Sequence, residues 1–303
     1  DVDLSLFRHF PRLAIGLDGL QVIGLDAFSK DTLIAARQID VAVNLFSLFG
    51  GSEMKISSIT IDEPRIHAIV HADGKANWDI SKPDTTTAVS SDTAGFHFNL
   101  QSYKITDGYI SYIDIPGDMS SEITHLNHSG SGDFTSDLFT LKTKTSAESV
   151  SFTYDKIPYL IDAKTGLDAD IQVDNKLNKY SFKTDEINLN DLKLSASGYF
   201  QFVNDTTYGM DIKFNAPSTE FKTLLSLVPA IYKNDFNKIK TSGKAVFNGF
   251  VKGEYNSVKI PAYQVNLNVE NGFFQYPDLP QPVQNIGIGL RVDNPDGSSG
   301  HSV

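Results

Sequence analysis

The chain has 303 residues, 40% hydrophobic and 21% charged, values of a folded protein that exclude wholesale disorder. It has no cysteine, which excludes a disulfide framework and a thiolate metal site. A formal net charge of -11 repels a phosphate backbone, and no run of Lys and Arg offers a local exception, so nucleic acid is excluded as a partner.

No stretch approaches the roughly 20 apolar residues of a membrane-spanning helix, and no basic and apolar leader opens the chain. The chain therefore reads as soluble. It begins at Asp1 without a Met and stops in Pro295-Asp296-Gly297-Ser298-Ser299-Gly300, the look of a piece of a longer protein whose anchor lies elsewhere.

From the N-terminus, a short helix is expected over Leu4 to Phe10, ending before Pro11. Ile39, Val41, Val43 and Leu45 then alternate with polar residues, the period of a strand with one wet and one dry face. A single helical turn is expected at Phe46-Ser47-Leu48-Phe49, before Gly50-Gly51. Arg65 to His71 is rich in β-branched residues and alternates, and Asp73-Gly74 follows as a turn. Trp78 reads as an amphipathic anchor at a sheet edge. Residues 81–95 are polar and aperiodic and read as a linker.

Further along, Leu167, Ala169, Ile171 and Val173 alternate, and so do Leu192 to Phe202, Tyr208 to Phe214, Val265 to Val269 and Ile286 to Val292. Asp107-Gly108, Asn204-Asp205 and Asn271-Gly272 carry the residues of tight hairpin turns, and such short connections predict antiparallel neighbours. A helix is expected from Ser218 to about Tyr232, with Ser218 or Thr219 as cap and Phe221, Leu224, Leu225 and Val228 as its stripe, until Pro229 kinks or ends it. Residues 105–114 and 269–278 echo one another as apolar-x-[Asp/Asn]-Gly-aromatic-apolar-x-Tyr-x-Asp, which suggests a repeated hairpin.

The expected class is mostly β: long antiparallel strands in a curved sheet, groove or sandwich, with one or two short helices. The expected division is an N-terminal β segment 1–80, a linker 81–95, a main β body 96–294 holding the helix near 218–232, and a tail 295–303.

Signs of catalysis are weak. His67 and His71 have the spacing of two helical metal ligands, but in a strand four residues span roughly 13 Å and the rings cannot share an ion. His125 and His128 lie in a Gly/Ser/Asn-rich stretch that reads as a solvated loop, and Gly130-x-Gly132 reads as a hairpin turn. Asp168-x-Asp170 lacks the Gly of a calcium loop and reads as the wet face of a strand. No P-loop, Gly-x-Ser-x-Gly elbow or His-Glu-x-x-His occurs. The expectation is a non-enzyme with no cofactor and no metal.

Ile56-Ser57-Ser58-Ile59-Thr60-Ile61-Asp62-Glu63-Pro64-Arg65-Ile66, followed by Asp73-Gly74-Lys75-Ala76-Asn77-Trp78-Asp79, resembles the opening of AsmA family proteins. Gly272-Phe273-Phe274-Gln275-Tyr276-Pro277-Asp278-Leu279-Pro280 with Pro282-Val283-Gln284-Asn285-Ile286 is similar to that family's second half, as is Leu224-Leu225-Ser226-Leu227-Val228-Pro229 before Ser242-Gly243. The resemblance implies a periplasmic β-groove of the Gram-negative envelope, anchored in the inner membrane by an N-terminal helix that this chain lacks. It also implies a role in outer-membrane biogenesis and phospholipid movement. Phospholipid or another acyl-chain lipid is then the expected ligand, with Leu192, Leu194, Phe200, Phe202, Met210, Ile212 and Phe214 as candidate groove walls. The alternative is an assembly module that binds other envelope proteins through sheet edges.

Overall fold

Alternating apolar residues over long stretches make strands, and strand is what most of the chain forms. A computed structural model describes residues 2–5, 12–44, 56–80, 100–204, 206–227, 238–256, 258–276, 280–295 and 297. In chain order the strands are β1 (Val2–Ser5), β2 (Arg12–Ile23), β3 (Thr32–Asn44), β4 (Ile56–Asp62), β5 (Arg65–Val70), β6 (Ser102–Asp114), β7 (Met119–Ser131) and β8 (Leu138–Tyr154). They continue as β9 (Ile157–Asp174), β10 (Lys179–Leu189), β11 (Leu192–Asn204), β12 (Thr207–Glu220), β13 (Lys240–Tyr255), β14 (Ala262–Gln275) and β15 (Val283–Asn294). One α-helix, α1 (Phe221–Leu225), and a 3-10 turn at Asp26–Phe28 complete the described elements. β8 and β9 run 17 and 18 residues, against about 5–6 for an ordinary strand.

The mostly β class is as expected, in a 15-stranded sheet whose order nearly follows the chain. By contacts the chain divides into a first unit of Asp1–Ser136 with Thr145–Asp162 and a second of Asp137–Lys144 with Ala163–Val303. The expected linker at 81–95 lies outside the described residues, and β4 and β5 before it pair with β6 after it.

Those two pairings are parallel, an exception to the antiparallel expectation. The chain from His71 to Gln101 is long enough to return to the starting end, as a parallel crossover requires. β4 and β5 follow one another along β6, β4 opposite Ser102–Thr106 and β5 opposite Tyr109–Asp114. Glu63 and Pro64 make the step between them, with Glu63 in the left-handed region at φ 50°.

Asp107-Gly108 and Asn271-Gly272 are not turns. Each lies inside a strand as a β-bulge, with Asp107 at φ 52° and Asn271 at φ 50°. Asx-Gly supplies left-handed backbone in either setting, and here the strand continues on both sides. The echo is real at this level. β6 and β7 pair through Ile105↔His128, Gly108↔Leu126 and Ile110↔Ile123; β14 and β15 pair through Val269↔Ile288, Gly272↔Ile286 and Phe274↔Val283. Both ladders step by three and two residues on one strand and by two and three on the other. The second bulge of each falls on His125, φ 50°, and Asn285, φ 55°. Each unit therefore contains the same double-bulged hairpin, and an inserted residue on each strand keeps the apolar side chains on one face.

Other expectations are corrected. Leu4 and Ser5 belong to β1, and the rest of the expected helix to Phe10 lies outside the described residues, as do the turn at 46–51 and all of the tail except Pro295 and Gly297. His125, His128 and Gly130 lie in β7, because their Gly/Ser/Asn-rich stretch pairs with β6 along its length. Ser218 and Thr219 are the end of β12, so the helix starts at Phe221. Its N-cap, Glu220, makes no side-chain capping bond, and Val228 onward lies outside the described residues. Thr223 Oγ1 donates instead to the Glu220 carbonyl at 2.9 Å.

Glycines admit close cross-strand neighbours. Tyr103 stands opposite Gly130 and Phe214 opposite Gly249, and a β-carbon on either glycine would come within 2.5 Å of the facing ring. Gly198, at φ 144°, lets β12 approach so closely that a β-carbon would lie 2.7 Å from Ile212 Cα. Gly198→Ala should therefore cost more than about 2 kcal/mol in urea unfolding, through backbone overlap and strain. Gly287→Ala, where the added β-carbon would meet nothing within 4 Å, should change stability by less than about 0.5 kcal/mol.

Candidate functional site

In the second unit, cross-strand register gathers the alternating residues into rows. Ile171, Phe182, Gly198, Ile212, Val251 and Tyr263 form one row across β9 to β14. Val173, Tyr180, Phe200, Met210 and Gly253 form the next, and Ala196, Phe214, Gly249, Val265 and Val292 another. The opposite face carries Ser197, Lys213, Tyr199, Asp211 and Lys252, with a Lys252–Asp211 ion pair at 3.2 Å and Lys179 Nζ 3.9 Å from the Tyr199 ring centroid.

The apolar face is sealed at one end and open at the other. At the sealed end Leu192, Leu194 and Ala216 are buried, with Leu224, Leu227 and Phe247 packed on them. Phe221 of α1 packs with Ala245 and Val269 of the sheet in the adjoining cluster. Buried Ser226 locks the end of the helix to the β10–β11 turn: it accepts from the Asp191 amide at 3.2 Å, and its carbonyl accepts from Asn190 Nδ2 at 2.7 Å. At the open end, rings from four strands meet. Phe200 lies 5.3 Å from Phe202 and 5.8 Å from Tyr208, Tyr180 lies 6.0 Å from Phe202, and Tyr208 lies 6.4 Å from Tyr255. Phe202 is 46% exposed and Tyr255 50%.

All seven groove candidates therefore lie on one face, but they do not make one site. Phe200, Phe202, Met210, Ile212 and Phe214 form the reachable part. Leu192 and Leu194 are core under the helix, a role set by the 221–225 turn folding over them. Tyr180, Phe182, Val251 and Tyr255 join the reachable part through register, which no single-strand pattern displays.

In the first unit, Ile15, Val41, Ile59, Tyr103 and Gly130 make a row, and Leu17, Ile39, Ile61, Ile105 and His128 make the next. His128 thus stands on an apolar face. Its Nε2 lies 2.9 Å from Tyr103 Oη and its Nδ1 2.8 Å from Thr145 Oγ1. Burial holds the imidazole below its ordinary pKa and raises that of the Tyr103 phenol. His125, on the other face, meets Asp107 Oδ1 at 2.6 Å, and Arg65 Nη1 donates to the Asp107 carbonyl at 2.6 Å.

His67 lies in β5 with its ring 5.3 Å from Tyr109, while the His71 ring lies 4.3 Å from Phe28. Asp168 pairs with Lys144 at 3.3 Å. Trp78 stacks on Tyr112 at 6.2 Å. Beside it, buried Asn77 extends the ladder of β5, accepting from the Ile69 amide at 3.0 Å and donating to the His67 carbonyl at 2.6 Å. A cleft of about 690 Å³ beside the Asn271 bulge is lined by Glu220, Lys244 and Glu270, cross-strand neighbours of alternating charge. Among the described residues no group of three or more His, Cys, Asp or Glu is placed to hold a metal ion, and no helix is long and apolar enough to cross a membrane.

No family model matches the chain, and neither curated proteins nor solved structures yield a match.

His128 makes stability depend on pH with a definite sign. Its folded-state pKa lies below the ordinary histidine value of about 6.5, so as pH falls through that value the unfolded chain takes up the proton first. The contribution is intact above about pH 6.5 and is lost on acidification. The urea midpoint should fall between pH 7.5 and pH 5, and His128→Gln, which keeps polar contacts to Tyr103 and Thr145 without titrating, should flatten that decline.

Proposed function

We propose that this chain is a non-enzymatic lipid-handling protein of the AsmA-like kind, which lays acyl chains along the apolar face of its second unit. One observation carries the reading: Phe200, Met210, Ile212 and Phe214 line up across adjacent strands as a half-buried apolar surface that grows more exposed toward Phe202 and Tyr255. Large apolar side chains in register, backed by a reverse face that carries Ser197, Asp211, Lys213 and Lys252, suit an unbranched hydrocarbon. Each methylene removed from water contributes about 0.8 kcal/mol, so ten of them supply roughly 8 kcal/mol against the entropy of ordering the tail. Phospholipid is the proposed ligand. A periplasmic location, an inner-membrane anchor and a part in outer-membrane biogenesis rest on the resemblance of the Asp62-Glu63-Pro64 and Gly74-x-x-Asn77-Trp78 segments to that family.

A second reading, assembly with envelope proteins through a sheet edge, has its own support. Among the described residues β15 pairs only with β14, and a β-carbon added at Gly287 or Gly289 would meet nothing within 4 Å. Crosslinking from position 287 that captures a protein, with no lipid recovered, favours that reading.

Native mass spectrometry and solvent extraction of the purified chain should find co-purified phospholipid. Phe200→Asp with Met210→Asp should reduce bound lipid by at least about tenfold, because a carboxylate on the tail's path must be desolvated. Lys213→Glu, on the reverse face, should leave it unchanged. A lipid-free wild type, or equal loss in both variants, contradicts the reading.

A further inference from the structure

The open end of the second unit does more than expose the apolar face. Three hairpin tips come to this end, the β9–β10 turn at Asn175–Asn178, the β11–β12 turn after Asn204, and the β13–β14 loop from Asn256 to Pro261. Each points apolar side chains at solvent: Leu177 is 54% exposed, Val203 47%, Val258 83% and Ile260 41%. The opposite end of the same unit presents Asn190, Asp191, Lys193, Glu220, Lys240 and Lys244. Single exposed apolar residues elsewhere in the unit, Val246, Val283 and Leu290, mean nothing, but a set gathered on three successive tips calls for a partner.

We infer that this rim inserts shallowly into a lipid bilayer of zwitterionic surface.

The tips are built to enter a medium without water. Asp174 Oδ1 accepts from the amides of Lys176 and Leu177 at 3.1 and 3.0 Å. The Leu177 carbonyl accepts from Gln201 Nε2 at 3.0 Å. In the next loop, Asn256 Oδ1 accepts from the amides of Val258 and Lys259 at 3.0 and 2.9 Å, and the Asn256 amide donates to the Lys259 carbonyl at 3.0 Å. The Leu177 amide and carbonyl and the Val258 amide are thus satisfied from within, which lowers the cost of placing these tips in lipid. Behind the tips, Tyr180, Tyr208 and Tyr255 stand where a bilayer interface favours amphipathic rings.

Charge selects the kind of surface. Lys176 is paired with Asp137 at 2.8 Å and Lys259 with Glu254 at 2.9 Å, so the rim offers little net positive charge, and the whole chain carries -11. Attraction to anionic lipid is therefore not the driving force, and burial of the tips is. Because the rim adjoins Phe202 and Phe200, a tail leaving the bilayer here meets the apolar face directly, although the rim stands on its own observations and not on the acyl-chain reading.

The test is flotation of the full chain with phosphatidylcholine vesicles, with and without added phosphatidylglycerol, in low salt and in 0.5 M NaCl. Wild type should float with phosphatidylcholine alone and at both salt concentrations. Leu177→Asp with Val258→Asp should weaken binding by about a hundredfold, roughly tenfold for each charge placed at the tips, while Val246→Asp, at an exposed valine on the reverse face, should float like wild type. All these positions are exposed, and matching circular dichroism spectra establish that the variants fold. The inference is overturned if wild type does not float with phosphatidylcholine, if it floats only with anionic vesicles in low salt, or if the double variant floats unchanged. It is also overturned if the rim substitutions abolish only self-association. Lipid extraction of the same preparations keeps the two readings apart: a chain that carries lipid but does not float defeats the rim alone, and one that floats but carries none defeats the acyl-chain face alone.

Discussion

A pleated strand sends successive side chains to opposite faces, and everything in this protein depends on keeping that parity from one strand to the next. A single slipped residue would turn Phe200 toward water and Tyr199 toward the apolar side. The ladder is nevertheless interrupted repeatedly, at Asp107, His125, Asn271 and Asn285 among other places. At these four positions it survives because one residue is inserted in the left-handed conformation, which returns the next side chain to the face its predecessor occupied. Ile105, Gly108 and Ile110 stay together across one such step, and Val269, Gly272 and Phe274 across another.

The core that results is built largely from small side chains. Among the described residues alanines predominate in the buried set, and only two phenylalanines, Phe28 and Phe221, are buried. The larger aromatic and aliphatic groups remain half exposed along the face. Aromatic rings lie over glycines at Tyr103–Gly130 and Phe214–Gly249, an arrangement that shields backbone without a second layer. Where a second layer does exist, under α1, the same face becomes ordinary core, and Leu192 is wholly buried. Open face and core are thus two ends of one surface, separated by whether the short helix covers it.

Much of this was legible from residue pattern. The strands containing Ile39, Leu167, Leu192, Tyr208, Val265 and Ile286 lie where period-two alternation puts them. Asx-Gly was misleading because left-handed backbone serves a bulge as readily as a turn. The apolar phase held the missing signal, since Ile105, Gly108, Ile110 and Tyr112 are spaced three, two and two, the mark of one inserted residue. The parallel pairing of β4 and β5 with β6 was illegible, because it depends on where the chain returns after Val70 and not on any local preference. His128 hid in a Gly/Ser/Asn-rich stretch whose polarity suggested solvent, while its hydroxyl partners, Tyr103 and Thr145, come from distant strands.

The central claim is that an acyl chain lies on one face of the second unit and not on the other. Met210 and Asp211 are neighbours in β12 and point to opposite faces, so a photoreactive phenylalanine placed at each in turn compares the faces at the same height. Irradiation in lipid-containing envelope followed by mass spectrometry should give phospholipid adducts from position 210 and none from position 211. Equal adducts from both positions, or none from 210, would contradict the account.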